Sequence, residues 1–471
     1  MELDRPSEEC GVVAIASPSD EVAKLAFFGL YALQHRGQEA AGIAVSDGRA
    51  VRLHKGQGLV NQVFQPGTLD PLVGGLAIGH TRYSTTGSNS ERNVQPYVVE
   101  TIHGPLGVAH NGNLVNADRL RTKLLERGAG LQSSSDSEVL ALMLAGADGE
   151  TWEERLASVM PSWEGAFSLV IIAGTKVIAT RDPWGFRPLS LGRLPSGGNV
   201  VASETGALQT LGCEAVREVK PGEVVVMQGA IVRSHQAVPA KTEQARCTFE
   251  HIYFSRPDAV WDGLSVHEAR QKLGEELARE HPAEADAVIP VPDSSVPAAI
   301  GFANVSGIPY NEGFVKNRYI GRTFIEPTDE LRRQGVALKF NTLPENIAGR
   351  RVVVVDDSIV RGTTSGQLIR LIRDAGATEV HVRITCPPVS HPCFFGVDMG
   401  SYDELIAHQL GVPEICSHIG ADSLGFLSVP RMMKALGRDD GYCNACFTGD
   451  YPIPVQLSLA VSKKRFDGVL G

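Results

Sequence analysis

The sequence lacks long apolar runs and an export signal. None of its runs approaches the ~20 apolar residues that a transmembrane helix needs, and the longest, Ser168 to Ala173 and Arg351 to Val355, have the length of strands. The first nine residues, MELDRPSEE, carry four acidic side chains and no apolar segment. This composition excludes a secretory signal and makes these residues a candidate leader that is removed from the mature chain.

Positive charge is also scarce. The 471 residues include 44 Lys and Arg against 54 Asp and Glu, which gives a net charge of −10. Proteins that bind nucleic acid need basic surface to displace counterions from phosphates, so we expect neither nucleic acid nor a membrane as partner. Eight cysteines without an export signal are typical of a cytoplasmic protein, whose thiols serve metals or catalysis more often than disulfides.

The residue pattern predicts two domains. From Cys10 to about Val232, short apolar strands alternate with Gly and Asn turns and few helical stretches, which indicates a sheet-rich domain. Two helices are predicted there, Ser137 to Leu144 and Thr151 to Met160. Residues 234–246 are polar and without apolar periodicity, so they are the predicted linker. The expected domains are therefore residues 10–235 and 236–471.

The second domain shows a different pattern. Ser265 to Glu280 predicts a helix that begins with a capping box formed by Ser265 and Glu268. The apolar strands AVIPV, RVVVVDD and EVHVRIT then alternate with helices. Such alternation predicts a parallel sheet covered by helices, with ligands at the carboxyl ends of its strands.

Cys10 is a candidate nucleophile because it directly precedes the predicted strand GVVAIA. If residues 1–9 are removed, Cys10 becomes the first residue, and its α-amino group, with a pKa near ~7.7 to 8.0, can act as the general base for its own thiol. The alternative interpretation is a buried structural cysteine.

Further segments of the first domain decide between these readings. They are LQHRGQEAAGIAVSDG (33–48), GHTRYSTTG (79–87), AHNGNL (109–114), SSDSE (134–138) and RDPWGFRPL (181–189). In this order they resemble the glutaminase domain of the N-terminal-nucleophile amidotransferases. The resemblance implies an αββα N-terminal-nucleophile hydrolase fold.

The same resemblance implies site residues. Cys10 would attack the glutamine side-chain amide, while Asn111 and the backbone NH of Gly112 would hold the oxyanion. Arg82 would pair with the α-carboxylate of glutamine and Asp136 with its α-ammonium group. Taken singly, Arg82 could form a surface salt bridge and the Asn-Gly pair could form a hairpin turn.

The segment RVVVVDDSIVRGTTS (351–365) resembles the binding motif of type I phosphoribosyltransferases. Asp356 and Asp357 would hold the ribose hydroxyls of phosphoribosyl pyrophosphate, directly or through Mg²⁺. Backbone NH groups and hydroxyls at a helix start suit a 5-phosphate. The residues expected to bind it are Ser358, Arg361, Gly362, Thr363 and Thr364. A generic strand, turn and helix is the alternative.

Two more segments resemble the amidophosphoribosyltransferase family. In VIPVPDSSVPAAIGFA (288–303), Ser294 would be a third contact to Mg²⁺, although a helix cap is the alternative. VKNRYIGRTFIEP (315–327) resembles the family's loop that closes over pyrophosphate, which implies that Lys316, Arg318 and Arg322 contact this anion. A solvated basic face is the alternative for that loop.

Four cysteines recur in segments similar to the iron-sulfur subgroup of the same family: Cys247, Cys393, Cys443 and Cys446. The resemblance implies that they hold a [4Fe-4S] cluster that fixes the C-terminal segment to the second domain. A zinc site or buried free thiols would also suit a C-x-x-C pair.

Together these features predict a glutaminase domain followed by a type I phosphoribosyltransferase α/β domain. The implied reaction converts glutamine, phosphoribosyl pyrophosphate and water to phosphoribosylamine, glutamate and pyrophosphate. Purine nucleotides are the expected feedback inhibitors, and the resemblance implies a homotetramer. The alternatives are another glutamine amidotransferase, such as an asparagine or glucosamine-phosphate synthase, and a non-catalytic sensor of phosphoribosyl pyrophosphate.

Overall fold

The computed structural model describes residues 10–18, 21–83, 90–317, 340–399 and 401–455. In the first half, the described strands are β1 (Gly11–Ala16), β2 (Ala40–Ser46), β3 (Val51–Gln57), β4 (Leu76–Arg82), β5 (Tyr97–Thr101), β6 (Gly104–Leu114), β7 (Gly165–Ala173), β8 (Lys176–Arg181), β9 (Ser190–Arg193), β10 (Asn199–Ala202), β11 (Glu214–Glu218), β12 (Glu223–Gln228) and β13 (Ile231–Gln236). The described α-helices there are α1 (Val22–Ala32), α2 (Val60–Val63), α3 (Ala117–Glu126), α4 (Asp136–Ala145), α5 (Trp152–Val159) and α6 (Thr205–Thr210).

These elements form four layers. One antiparallel sheet has the strand order β11-β9-β10-β1-β4-β2-β3 and the other has β13-β12-β8-β7-β6-β5. Side chains alternate between the two faces of a strand, and both faces of each sheet are covered by other elements. Val12 and Ala14 pack between the sheets, whereas Val13 packs outward against α1. The outer face of the second sheet packs against α3, α4 and α5. The expected αββα arrangement is thus confirmed.

The predicted helices of this half are confirmed within one residue at each end as α4 and α5. The expectation of few helices is wrong, since six α-helices are described. Helix α1, VAKLAFFGLYA, is apolar on most of its surface, so its sequence carries little of the 3.6-residue alternation that identifies an amphipathic helix.

The predicted linker is more ordered than expected. Strand β13 continues to Gln236, three residues into the 234–246 stretch. Beyond it, Lys241 N–H donates to Pro183 O (2.9 Å) and Ala245 N–H donates to Trp184 O (2.9 Å). Backbone hydrogen bonds of this kind hold a polar segment against the first domain without leaving an apolar pattern in the sequence.

The second half contains the described strands β14 (Arg246–Cys247), β15 (Val260–Trp261), β16 (Leu264–Ser265), β17 (Ala287–Pro290), β18 (Phe314–Lys316), β19 (Phe340–Thr342), β20 (Arg351–Asp356), β21 (Glu379–Ile384), β22 (Ser423–Phe426) and β23 (Tyr442–Cys443). Its described α-helices are α7 (Val266–Glu280), α8 (Val296–Ser306), α9 (Pro344–Ile347), α10 (Thr363–Asp374), α11 (Ile406–Gln409), α12 (Val412–Ile419), α13 (Val429–Ala435) and α14 (Ala445–Thr448). A π-helical turn spans Glu250–Phe254.

A parallel sheet of order β17-β20-β21-β22 lies at the centre of this half. The strands and helices around it enclose one apolar core, which confirms the predicted α/β pattern. Ser265 caps α7 by accepting a hydrogen bond from Glu268 N–H (3.5 Å), which is one half of the predicted capping box. In the part of the chain described, no helix combines the length and apolar character needed to cross a membrane.

Candidate active sites

Cys10 lies at the start of β1 and is 7% exposed. Since Val12 and Ala14 face the space between the two sheets, the period of two points the Cys10 side chain to the same face. Its Sγ donates to Tyr83 O (3.5 Å). Burial raises the pKa of the Cys10 thiol to about 11, against the lowering effects of that hydrogen bond and of the Arg82 charge. The thiol therefore needs a nearby base to become a nucleophile at neutral pH.

Two neighbouring strands bring polar side chains to this end of the inter-sheet space. On β4, Ile78 faces the space, so His80 and Arg82 continue the same face. On β6, Ala109 faces it, and Asn111 follows. The Nδ2 group of Asn111 is buried and has no hydrogen-bond partner among the described residues. A buried amide donor without an acceptor costs free energy, and it is ready for an acceptor that arrives with a ligand.

Gly112 follows Asn111 on β6 and is half-buried. His110 N–H bonds the side chain of Gln95 (2.7 Å), and Leu114 N–H bonds Asp136 Oδ2 (3.0 Å). Alternate residues of a strand point their N–H groups to the same edge, so the Gly112 N–H faces this edge between those two bonds. A side chain at Gly112 would collide with Ala166 O, and the φ of 144° at Gly112 also requires glycine.

Asp136 is the first residue of α4 and is buried. Its Oδ1 lies 3.7 Å from His110 Nδ1 and accepts from Ser137 Oγ (3.3 Å). Burial raises the pKa of Asp136, but His110 and these hydrogen bonds together hold it below its ordinary value. The carboxylate form is therefore favoured, as recognition of an ammonium group requires.

The charged groups predicted for glutamine binding act on the thiol. Arg82 lowers the pKa of Cys10, whereas Asp136 and Glu39 raise it, so all three charges lie within electrostatic range of Sγ. The structure thus brings Cys10, Arg82, Asn111 and Asp136 together. Sequence reasoning missed Glu39, although it lies within the first matched segment of the glutaminase domain.

Arg36 is a second residue that sequence reasoning missed. It is 1% exposed, and its Nε donates to the carbonyl oxygen of Cys10 (3.1 Å). Its remaining nitrogens bind Glu204 (2.5 Å) and, in bidentate fashion, Glu250 (2.5 and 3.0 Å) of the second half. Burial raises the pKa of Glu204, but His35 and Arg36 outweigh it and lower this pKa to about 2. Through its contacts with Cys10 O and with Glu250, Arg36 links the backbone of the nucleophile to the second domain.

The second candidate site lies at the carboxyl end of β20. Asp356 and Asp357 are 5% and 1% exposed. Ser294 Oγ donates to Asp357 Oδ2 (2.6 Å), and Ser295 Oγ donates to Asp356 Oδ1 (3.1 Å). Both serines follow β17, the strand beside β20, so the parallel sheet brings two separate motifs together at one edge.

The predicted phosphate loop follows these aspartates. Ser358 Oγ donates to Asp357 Oδ1 (2.7 Å), and Gly362 immediately precedes α10, which begins at Thr363 and buries Thr364. A Cβ at Gly362 would lie 2.6 Å from Ile406 Cδ1. The N-terminus of a twelve-residue helix thus begins beside the acidic pair, a position that favours an anion.

The basic residues assigned to pyrophosphate are only partly described. Lys316 Nζ contacts Asp293 Oδ2 (2.6 Å), in the same loop as Ser294. Arg361 Nη2 lies 3.1 Å from Glu404 Oε2. Arg318 and Arg322 lie outside the described residues, as do residues 1–9.

Three chain segments bring the four predicted cluster cysteines together. Cys247 of β14 pairs with Cys443 of β23 in a short parallel ladder, and Cys446 follows in α14. Burial raises the pKa of Cys247 to about 11. It also raises the pKa values of the Cys443 and Cys446 thiols above their ordinary value. The charges of neighbouring cysteines, Cys393 among them, raise the pKa of each of these three thiols further. Within the described ranges, no group of three or more His, Cys, Asp or Glu side chains is arranged to hold a metal ion as it stands.

Comparisons with known proteins identify both domains. Residues 80–210 match the glutamine amidotransferase domain family, and residues 261–392 match the phosphoribosyl transferase domain family. The amidophosphoribosyltransferase of Synechococcus elongatus is 50% identical over 99% of this chain and 96% of its own length. That of Bacillus subtilis is 47% identical over 96% of each chain.

Solved structures give the same result. The chain is similar to a structure described as the allosteric regulatory enzyme of purine biosynthesis, with a TM-score of 0.90 and 47% identity over 95% of this chain and 97% of that one. It is also similar to glutamine phosphoribosylpyrophosphate amidotransferase from B. subtilis complexed with ADP and GMP, with a TM-score of 0.89 and 46% identity over 95% and 98%. Identity and coverage at this level extend over both candidate sites, and the chain therefore belongs to the amidophosphoribosyltransferase family.

Proposed function

We propose that this enzyme makes 5-phosphoribosylamine from glutamine, phosphoribosyl pyrophosphate and water, and releases glutamate and pyrophosphate, as the first step of purine synthesis. Glutamine is hydrolysed at Cys10, and the ammonia is used at Asp356 and Asp357. The observation that best supports this assignment is the buried amide donor of Asn111, which has no hydrogen-bond partner in the described part of the chain and lies at the same end of the inter-sheet space as Cys10.

In the first half-reaction, removal of residues 1–9 frees the α-amino group of Cys10. This amine accepts the thiol proton, which the buried thiol otherwise retains because its pKa is about 11. The thiolate attacks the glutamine Cδ, and the new oxyanion accepts hydrogen bonds from Asn111 Nδ2 and Gly112 N–H. The C–N bond breaks as the leaving nitrogen takes the proton held by the α-amino group of Cys10, and ammonia departs. Water then hydrolyses the thioester to glutamate.

The α-carboxylate and α-ammonium groups of glutamine fix the substrate. Arg82 offers a planar guanidinium fork that suits a bidentate carboxylate contact. Asp136 offers a carboxylate whose pKa is held low by His110 and its hydrogen bonds in spite of burial. Holding both ends of the amino acid places the side-chain amide at the thiol, and this positioning contributes to the rate.

Asn111→Ala should lower kcat for glutamine hydrolysis by about 10²–10³-fold, because one oxyanion donor is lost in the transition state only. The KM for glutamine should change little, since the amide donor is not assigned to the ground-state contacts. Initial-rate measurements of glutamate release test this. Asn61→Ala, which removes an exposed asparagine of α2, is the matched control. An equal loss in both variants, or a loss confined to KM, would exclude the assigned role.

In the second half-reaction, ammonia forms a bond to the anomeric carbon of phosphoribosyl pyrophosphate while the bond to pyrophosphate breaks. Asp356 and Asp357 hold the ribose hydroxyls, and together with Ser294 they are the oxygen donors that fit Mg²⁺. Bound Mg²⁺ would neutralise charge on the departing pyrophosphate. The groups proposed to hold the 5-phosphate are Ser358, Arg361, Gly362, Thr363 and Thr364, and those for pyrophosphate are Lys316 and Arg322.

We assign the four cysteines to a [4Fe-4S] cluster. The set consists of four free thiols from three segments that meet in the folded chain, which fits the all-thiolate ligation of such clusters. A cluster is larger than a single ion, so its ligands need not converge on one point. Bound there, it would hold the C-terminal segment to Cys247 and serve a structural purpose.

Cys446→Ser should reduce bound iron and acid-labile sulfide and lower the melting temperature by roughly 5 °C or more, since a group bound only by the folded state stabilises it. Metal analysis of anaerobically purified protein and thermal unfolding measure the two effects. Cys213→Ser, which changes a half-buried thiol of the first domain, should leave the iron content unchanged. Zinc without iron in the wild type would contradict the assignment.

The regulatory and alternative assignments follow from the same observations. The similarity to an enzyme complexed with ADP and GMP supports purine nucleotides as inhibitors, and we retain a homotetramer in the cytoplasm as the predicted form. A different amidotransferase would have no use for the acidic pair, Asp356 and Asp357, or for the anion-binding helix start at Thr363. A sensor would have no use for the glutaminase site, and measured turnover of glutamine would exclude it.

A further inference from the structure

The segment Cys393–Gly396 belongs to the second domain but lies against the proposed oxyanion strand of the first. Asn113 Nδ2, on β6, donates to Phe394 O (2.9 Å). Phe395 stacks on Phe186 of the first domain, with ring centroids 4.4 Å apart. Phe395 is 2% exposed, so this contact anchors the segment in an apolar cluster shared by both domains.

Gly396, the last residue of the segment, lies beside Gly112. A Cβ built at Gly396 would lie 3.0 Å from the carbonyl carbon of Gly112 and 3.2 Å from its Cα. Gly112 is enclosed on another side by Ala166 O. The backbone that carries the proposed oxyanion donor is therefore held between two other backbones, one from each domain.

The buried side chain of Arg187 holds the Cys393–Gly396 segment through a hydrogen bond. Arg187 Nη2 donates to Phe395 O (2.7 Å) and lies 3.3 Å from the Cβ position of Gly396. Arg187 Nη1 also lies 3.9 Å from Glu250, the partner of Arg36. The carbonyl groups of Phe394 and Phe395 thus both accept hydrogen bonds from side chains of the first domain, which sets the position of Gly396 over Gly112.

We propose that the Cys393–Gly396 segment is a positioning element of the glutaminase site, which uses the backbone of Gly396 to hold Gly112 N–H where the oxyanion develops. This inference rests on the proposed function of Gly112. Gly396 is assigned a positioning role, because its Cβ position faces Gly112 and it is given no contact with the substrate. The phosphoribosyltransferase domain thereby supplies part of the geometry with which the other domain hydrolyses glutamine.

Gly396→Ala tests the proposal with a single methyl group. The methyl would push Gly112 by a few tenths of an ångström, because the contact distances of 3.0 and 3.2 Å are shorter than ordinary carbon contacts. A displacement of that size should lower kcat for glutamine hydrolysis roughly tenfold. The KM for glutamine and the ammonia-dependent synthesis should stay within about twofold, since neither uses the oxyanion donor.

Gly104→Ala is the matched control for backbone strain. Gly104 begins the same strand β6 and has a φ of +91°, close to the +106° of Gly396, but no atom lies within 4 Å of its Cβ position. Alanine is strained at both positions, so a loss caused by strain alone should occur in both variants. We expect a normal kcat in Gly104→Ala.

Two further measurements separate positioning from general damage. The γ-aldehyde analogue of glutamine forms a hemithioacetal with Cys10 that places an oxygen at the oxyanion position, so its affinity should fall in parallel with kcat. Alkylation of Cys10 by iodoacetamide needs no oxyanion donor and should keep its wild-type rate. If Gly396→Ala does not fold, Asn113→Asp removes the hydrogen bond to Phe394 O without changing side-chain size, and should show the same pattern.

The outcomes are distinct. Equal kcat in Gly396→Ala and Gly104→Ala, or a parallel loss of glutaminase and ammonia-dependent synthesis, would overturn the positioning role. A wild-type enzyme without glutaminase activity would instead refute the proposed function on which the inference depends. Loss of kcat and of affinity for the aldehyde in Gly396→Ala, but not in Gly104→Ala, would establish the positioning role of Gly396.

Discussion

Cys10→Ala is expected to abolish glutamine-dependent synthesis of phosphoribosylamine, with a loss of about 10⁴-fold or more, while synthesis from ammonium salts continues. The variant lacks the atom that forms the thioester. The acidic pair at Asp357 belongs to a different sheet, so its geometry should be unaffected. Initial rates of pyrophosphate release with glutamine and with ammonium chloride measure both activities.

The control for this experiment is Cys213→Ser, in which both rates should match the wild type. A parallel loss of both activities in Cys10→Ala would contradict the assignment of two separate sites. Retained glutamine use would show that Cys10 is a structural cysteine. Mass analysis should also find Cys10 as the first residue of active enzyme, because the buried thiol, with a pKa of about 11, depends on the freed amine.

Asp357→Asn is expected to impair synthesis of phosphoribosylamine and to spare glutamine hydrolysis. Synthesis should fall about 100-fold with either nitrogen source, because the variant keeps the side-chain shape but loses a charge that supports Mg²⁺ and the ribose hydroxyls. Ser294 and Ser358 donate to different oxygens of this carboxylate, so in the variant one hydroxyl can donate to the amide oxygen and the other can accept from the amide NH2. Glutamine hydrolysis without phosphoribosyl pyrophosphate should continue at the wild-type rate.

Asp374→Asn, which neutralises an exposed carboxylate at the end of α10, is the matched control and should leave every rate unchanged. Isothermal titration with phosphoribosyl pyrophosphate and Mg²⁺ should show weaker binding in Asp357→Asn only. Normal synthesis in that variant would remove the acidic pair from the transferase site.

Local sequence patterns predicted much of the molecule. The apolar segment GVVAIA predicts a strand directly after Cys10, and the run RVVVV predicts a strand that ends at the acidic pair; both strands are present as β1 and β20. These predictions succeed because the period of two and the strand-loop-helix order depend on neighbouring residues. Helix α1 was missed because its side chains are apolar on most faces, so tertiary packing identifies it rather than periodicity.

The contacts between domains were not predictable in this way. Arg36 and Glu250 are 214 residues apart, and neither stands in a local pattern that marks a buried ion pair. The approach of Gly396 to Gly112 depends on backbone atoms alone, which leave no side-chain signal except the glycines themselves. Long-range pairing of this kind is set by how complete domains pack, and a single sequence does not encode it in any short window.

In the proposed reaction, ammonia released at Cys10 is consumed at the acidic pair of the same enzyme. The most direct test supplies amide-¹⁵N glutamine, phosphoribosyl pyrophosphate and Mg²⁺ in the presence of unlabelled ammonium, and measures glutamate, pyrophosphate and the label in phosphoribosylamine. We expect one pyrophosphate for each glutamate, and we expect the product to carry the label. Glutamate release without pyrophosphate would contradict this coupling. So would a product whose ¹⁵N content is only that of the free ammonium in solution.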